Sequence, residues 1–375
     1  MSTSICIQDP NYSNSFSLHE ALNLAGENAT FAAGAYAFVS KGGVDLLTGS
    51  PWFEKMLGQN VVSIIVGMDA ITNEAALLAL QNIKERFNNF KVLAFLQSSP
   101  NSLFHPKVFW FRNDEGGVIV TGSGNLTVGG LRRNKEIFSI SRVNPDELEL
   151  ISERWHAWLE ENQSDLFEID AEEVKEKAIL NNVIRVIDVE EVEGVIAEQP
   201  AEYLAVEVGK VADVDEQDWL FDTQARILVA QIPKSSRRWS QANFTLSTFE
   251  DFFGGVRGDN SRRLILRAVL EGGGFGGLED RPCVSVKSNN FRLELAAAAG
   301  LDYPEENRPI GVFVRVSVRM FLYYLCLPES QGFDDVNAWL DESWSGPGRE
   351  MKRVETSVEG FRGVLNNLPL IALLN

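Results

Sequence analysis

Apolar positions in the first 160 residues alternate between two spacings. Short runs rich in β-branched and aromatic residues occur at 35–40, 61–68, 91–96, 107–111, 117–122 and 136–141, each of strand length. Between the second and third, Ala76, Leu80, Ile83 and Phe87 recur at helical spacing within 72–87. Residues 145–161 set Leu148, Ile151, Trp155 and Trp158 on one helical face, which is expected to pack back on the sheet and close the domain. Strands alternating with helices predict an α/β domain around a largely buried sheet.

The pattern then changes twice. From about 162 to 200 acidic residues dominate and apolar positions thin out, predicting a solvated linker over 163–205 between a first domain at 1–162 and a second at 206–375. The second domain shows strand-like runs at 225–232, 263–270, 283–288, 291–296 and 311–327, separated by Gly-rich or polar loops such as 272–277. Val312, Val314, Val316 and Val318 alternate with Phe313, Arg315, Ser317 and Arg319, the period of a half-buried strand. Short strands with turn signals between them predict a small, mainly β barrel.

With 375 residues, 45% hydrophobic and 23% charged, the chain has the balance of a globular protein of two domains. No apolar run approaches the ~20 residues of a spanning helix, so no membrane partner is expected. Asp9 and the lack of a basic start before an apolar stretch speak against a secretory signal, and three scattered cysteines fit a reducing, cytoplasmic setting. The net charge of −19 looks unsuited to nucleic acid until it is divided. Residues 143–220 hold 5 basic and 23 acidic groups, whereas 1–142 hold 11 of each and 221–325 hold 14 basic and 11 acidic. The acidity is therefore local to the centre of the chain. It leaves the charge of any cleft on either side open.

Candidate chemistry gathers in 103–136. His105 and Lys107 are two apart at the start of a strand and share a face. Ser123 and Asn125, also two apart, lie just past the next strand, and Glu136 opens the one after. Five polar groups thus converge at one end of the sheet. Neutral His105 can attack phosphorus to form a phosphohistidine that water resolves. Lys107, Ser123 and Asn125 can hold the non-bridging oxygens, and Glu136 can orient the imidazole. A leaving oxygen needs a proton, usually from a second His. His19 and His156 read as structural or surface residues, so that proton is expected from His105 of a second subunit across a two-fold axis, which predicts a homodimer.

H-P-K followed by T-G-S-G-N and a Glu eleven residues after the Asn resembles the phospholipase D superfamily, whose motif is H-x-K-x4-D with a downstream G-S-x-N. The resemblance implies catalytic roles for His105, Lys107, Ser123, Asn125 and Glu136, with no metal or other cofactor. Arg112 stands where the motif Asp would be. The first half, with F-V-S-K-G-G-V-D-L-L before V-S-I-I-V-G-M-D, is similar to restriction endonucleases of the BfiI and NgoFVII type. That likeness implies a phospholipase D-like α/β nuclease domain followed by a B3-like pseudobarrel that reads duplex DNA. R-R-W-S-Q-A-N-F, S-N-N-F-R-L-E-L and R-P-I-G-V-F-V-R-V carry the similarity in the second half.

Lys234, Arg237, Arg238, Gln241 and Asn243 form one candidate DNA-binding loop, and Asn289, Asn290 and Arg292 a second; both also fit solvated loops. Arg315 and Arg319 are candidates for a DNA-facing strand surface, or for a solvent face. Pro145-Asp146 with Glu173-Val174-Lys175 spells a metal-nuclease pattern, but these positions fall in helix-favouring stretches where solvated charge is the better account. The acidic centre is a spacer or a DNA mimic lying over the cleft, the latter resting on Asp188, Glu190, Glu191 and Glu193. The expected function is a type II-like restriction endonuclease in phage defence, paired with a cognate methyltransferase. The alternatives are a phosphodiesterase on another substrate and a nuclease subunit served by a separate ATPase or translocase. The chain itself contains no G-x-x-x-x-G-K-[ST] phosphate loop.

Overall fold

Five strands in the first half fall where the apolar runs place them; the strand expected at 35–40 lies four residues earlier, at Phe31–Tyr36, and a further strand is added at either edge of the sheet. The structure, a computed structural model, describes residues 1–69, 71–98, 102–182, 218–232, 241–259, 261–283, 291–301, 308–348 and 350–375. In chain order the first half contains β1 (Ser2–Gln8), α1 (Leu18–Gly26), β2 (Phe31–Tyr36), α2 (Lys41–Thr48), α3 (Pro51–Leu57), β3 (Val61–Gly67), α4 (Glu74–Arg86) and β4 (Phe90–Phe95). There follow β5 (Lys107–Asn113), β6 (Gly116–Gly122), β7 (Glu136–Val143), α5 (Pro145–Glu161), β8 (Leu166–Glu168) and α6 (Glu172–Leu180).

The eight strands make one mixed sheet in the order β1-β7-β6-β5-β2-β3-β4-β8, with β2, β3 and β4 parallel. Helices α1 to α4 bury one face, where Phe109, Phe111, Val120 and Phe138 meet Leu18, Leu47, Trp52 and Leu80 in a single core. The other face is covered by α5. Its predicted stripe docks as expected, with Leu148, Ile151 and Trp155 around Trp110, and Trp155 and Trp158 against Phe95 and Phe104. The helix starts sharply because Asn144 and Glu147 form a capping box with Pro145 in the first turn. Residues 163–182 do not behave as a spacer: β8 pairs with β4, and α6 buries Val174 and Ala178 beside α4. The remainder of the acidic stretch, including Asp188, Glu190, Glu191 and Glu193, lies outside the described residues.

The second half contains β9 (Arg226–Gln231), β10 (Gln241–Phe244), β11 (Arg263–Val269), β12 (Phe275–Pro282), β13 (Phe291–Glu294), β14 (Ile310–Ser317), β15 (Met320–Cys326), α7 (Phe333–Ser343), β16 (Arg353–Ser357) and α8 (Val358–Leu365). A six-stranded sheet, β12-β11-β15-β14-β9-β16, packs one face against the β10-β13 ribbon through a phenylalanine-rich core of Phe244, Phe249, Phe253, Phe291, Phe313 and Phe321. Residues of α7 and α8 pack on the other face. Among the described residues this sheet does not close on itself. The run at 311–327, read from sequence as one half-buried strand, is a hairpin of two buried strands turning at Val318 and Arg319. Alternation could not distinguish these because both faces of β14 are covered.

The two sheets meet at a seam that is charged as well as apolar. Glu20 and His19 on α1 are both buried, as are Arg132 and Arg319. Arg319 donates from Nε to Glu20 Oε1 at 2.7 Å and from Nη2 to Oε2 at 2.8 Å. It is also the one described non-glycine residue with a positive φ, at 56°, a conformation costing about 1–2 kcal/mol. The guanidinium bonds offset that cost. Burial alone would raise the Glu20 carboxyl, but Arg319 and Arg132 outweigh it and hold the group down at about 2. His19 is packed against Leu46 O and Ser50 Oγ at 3.1 Å, with Asp280 Oδ2 3.7 Å away; burial pulls it down to about 4 despite that carboxylate.

Both groups make the fold acid-labile, with the same sign. A folded-state pKa below the unfolded value means the unfolded chain takes up the proton first, so stability falls as pH falls. His19 acts as pH drops from about 6.5 to 4, and Glu20 from about 4.5 to 2. Each contributes on the order of 3 kcal/mol across its window. Urea midpoints measured from pH 7 to pH 4 are expected to decline steadily, and replacing His19 by Gln should flatten that decline. An unchanged slope in the variant would refute the assignment to His19.

Candidate active site

The five polar residues predicted from sequence meet at the ends of β5, β6 and β7, beside the end of β2. His105 precedes β5, and Lys107 is its first residue. Lys107 Nζ lies 3.1 Å from His105 Nδ1 and 3.0 Å from Nε2, and donates to the His105 carbonyl at 3.3 Å. These contacts hold the ammonium against the imidazole ring, the nearest cation to the candidate nucleophile. Partial burial lowers the Lys107 ammonium from its ordinary value, while the charge of Glu136 works the other way. Thr121 Oγ1 donates to Lys107 O at 3.0 Å and ties β5 to β6 at this point.

Ser123 follows β6. Its hydroxyl donates to Glu136 Oε2 and accepts from Ile137 N at 3.1 Å. Asn134 Nδ2 donates to the other Glu136 oxygen at 3.2 Å. The expected role of Glu136, orienting the imidazole, is not seen in this arrangement. Its oxygens orient Ser123 and Asn134, and no hydrogen bond to His105 occurs among the described contacts. Asn125 Oδ1 accepts from Phe38 N at 3.3 Å, which fixes the side chain against the chain leaving β2. The close approach of α2 helps: a Cβ on Gly43 would sit 2.1 Å from Leu126 O.

Phe38, Thr121 and Asn134 join the site without having been singled out in the sequence. The Phe38 ring lies edge-on to His105 at 5.7 Å, with Lys107 Nζ 5.9 Å from its centre. Asn134 could have been noticed because it is two residues before Glu136, and Phe38 because it opens the F-V-S-K-G-G-V-D-L-L run. His105 and Ser123 are exposed, and none of the five lines the 490 Å³ cavity bounded by Lys41, Phe53, Leu78 and Arg86.

The other sequence candidates are scattered. Arg112, at the position of the motif Asp, points to Glu149 on α5 at 3.4 Å. His156 is on the exposed side of α5, and His19 is buried in the seam. Asp146 lies in the first turn of α5 while Glu173 and Lys175 are exposed on α6, so they do not form the strand-borne carboxylate set of a metal nuclease. Among the described residues no three His, Cys, Asp or Glu side chains cluster to hold a metal, and no helix is long and apolar enough to cross a membrane. The three cysteines are free.

Of the candidate DNA-binding residues, Lys234, Arg237, Arg238, Asn289 and Asn290 lie outside the described residues. Gln241 and Asn243 are on β10, paired in register with Glu294 and Arg292 of β13, and Arg292 is exposed. Arg319 does not belong to a DNA-facing surface, because its guanidinium is spent on Glu20.

Three solved structures show partial likeness to the chain. A phospholipase D family member, Nuc, from Salmonella typhimurium is 17% identical, covering 44% of this chain and 95% of its own, with a TM-score of 0.30. NucT from Helicobacter pylori is 14% identical over 44% of this chain and 99% of its own, at 0.29. The N-terminal domain of Helicobacter pylori LlaJI.R1 is 11% identical over 35% and 97%, at 0.27. No protein-family model matches the chain, and no curated protein does. Overlaps this low leave the chemistry to be read from the site residues.

Proposed function

We propose that the chain is a phosphodiesterase of the phospholipase D-like kind, and that its substrate is duplex DNA cut as by a restriction endonuclease. The observation that carries this reading is the contact of Lys107 with His105 beside Ser123, Asn125 and Glu136. His105 attacks phosphorus, the P–O bond to the leaving oxygen breaks, and that oxygen takes its proton from His105 of a second subunit, which afterwards accepts a proton from the attacking water. Lys107 and the side-chain amide of Asn125 stabilise the charge on the phosphoryl oxygens, with Ser123, whose hydroxyl donates to Glu136, beside them. Water then opens the phosphohistidine. Lys107 supplies the cationic charge, so no metal enters this scheme.

The site offers one nucleophile and no second histidine, and a second subunit completes it in the proposed homodimer. Support comes from the adjoining sheet edge. Ile7 and Ile137 are register partners, exposed at 62% and 59%, next to Ser123 and Glu136; Ile5, at 77%, follows on the same face of the edge strand β1. An exposed apolar patch on an unpaired edge is a surface for association. The second sheet and its β10-β13 ribbon, with exposed Arg292, take the DNA-reading role of the proposed B3-like domain.

The deciding experiment is digestion of unmethylated phage DNA by the purified protein in excess EDTA. Discrete fragments are expected. Hydrolysis of other phosphodiesters with duplex DNA left intact would favour the alternative substrate reading. Cleavage appearing only with an added ATPase partner would favour the defence-complex reading.

A further inference from the structure

The loop between Ser123 and Glu136 is anchored from the other sheet. It passes through one wide helical turn, Gly129–Arg133, and Arg132 at the end of that turn is 1% exposed. Arg132 Nη1 donates to Ser17 Oγ at 3.0 Å, and Nη2 to the carbonyls of Arg263 at 3.0 Å and Arg319 at 2.8 Å. Those two carbonyls belong to the start of β11 and the β14–β15 turn. Buried carbonyls and a buried guanidinium require each other, since either left alone forfeits its solvation.

The same turn is locked to the site residues. Gly130 lies so close to Asn125 that a Cβ there would come within 2.3 Å of Asn125 O. Gln8 Nε2 donates to Gly130 O at 3.2 Å and Asn134 O at 2.9 Å, and Asn134 N donates to Gly129 O at 2.8 Å. Asn134 in turn holds Glu136. A chain of direct contacts therefore runs from the β14–β15 turn through Arg132 to Asn125 and Glu136.

We propose that Arg132 is a positioning residue that makes the geometry of the 123–136 loop conditional on the docked second sheet, so that the DNA-reading half licenses the hydrolytic centre. This rests on the phosphodiesterase reading above. Arg132 touches neither nucleophile nor phosphate, and it acts through Asn125 and Glu136.

The test uses the full chain with Arg132→Met, Arg132→Lys and Arg319→Lys, the last loosening the seam without altering the loop. Amide hydrogen exchange and hydrolysis of bis(4-nitrophenyl) phosphate, a diester too small to engage the second domain, are measured together. Arg132→Met and Arg319→Lys are expected to speed exchange in 123–136 by about 10-fold, with a similar fall in kcat and KM changed less than about 3-fold. Arg132→Lys should recover part of both. Faster exchange confined to 13–20 and 317–320, with 123–136 and kcat as in wild type, would overturn the proposal. If Arg132→Met does not fold, Arg319→Lys decides alone. If the wild type hydrolyses no phosphodiester, the functional reading fails by itself, and exchange in 123–136 still decides the coupling.

Discussion

Replacing His105 by Ala is expected to abolish cleavage, with a loss of at least about 1,000-fold, while duplex DNA binding stays near wild type. The reason is local. His105 is exposed and its ring meets Phe38 and Lys107, so its removal opens no core cavity. Lys107 keeps its place through its backbone in β5 and the bond from Thr121. Retained cleavage would eliminate His105 as nucleophile. The same variant tests the shared centre. If every centre needs two His105 side chains, adding excess variant subunits to wild type and allowing exchange should lower activity with the square of the wild-type fraction. A linear fall would mean each subunit works alone.

The largest expected effect on stability comes from Glu20→Ala. The carboxylate takes two bonds from Arg319, two from Ser17, one from Arg263 N, and lies 3.7 Å from Arg132 Nη1. Deleting it strands two buried guanidinium groups, at a cost of roughly 3–5 kcal/mol. At about 2–4 °C per kcal/mol for a large domain, the thermal midpoint should fall by roughly 10 °C. Glu20→Gln keeps the acceptor oxygen and should cost less. A midpoint for Glu20→Ala within 2 °C of wild type would show that the seam is not closed in solution.

The sequence reveals the parts of this protein that depend on short-range regularity. Strand alternation put His105 and Lys107 together, and the apolar stripe of Leu148, Ile151, Trp155 and Trp158 identified α5 and the face it covers. Features set by distant partners stayed hidden. Glu20, Arg132 and Arg319 look like surface residues in any window, because charged side chains are seldom fully buried. Their partners lie 187 and 299 residues away in the chain. The β14–β15 turn was missed for a related reason. It has neither Gly nor Asn, and Arg319 occupies the left-handed conformation only because Glu20 and the carbonyls of Ser13 and Ser15 hold its side chain. β1 escaped notice because its apolar residues face outward at a sheet edge, where they contribute no buried run.

The seam also limits how such a protein can be recombined. A recognition half borrowed from a relative would arrive with its own β14–β15 turn, and unless that turn carried an arginine able to adopt a positive φ, Glu20 would be left without its main counter-charge. A graft that preserves the reading surface alone would therefore yield an insoluble or inactive chimera. One that also transplants Arg262, Ser317 and Arg319, whose side chains donate to Ser15 O, Arg132 O and Glu20, should remain folded, which makes these three side chains the fitting by which specificities can be exchanged.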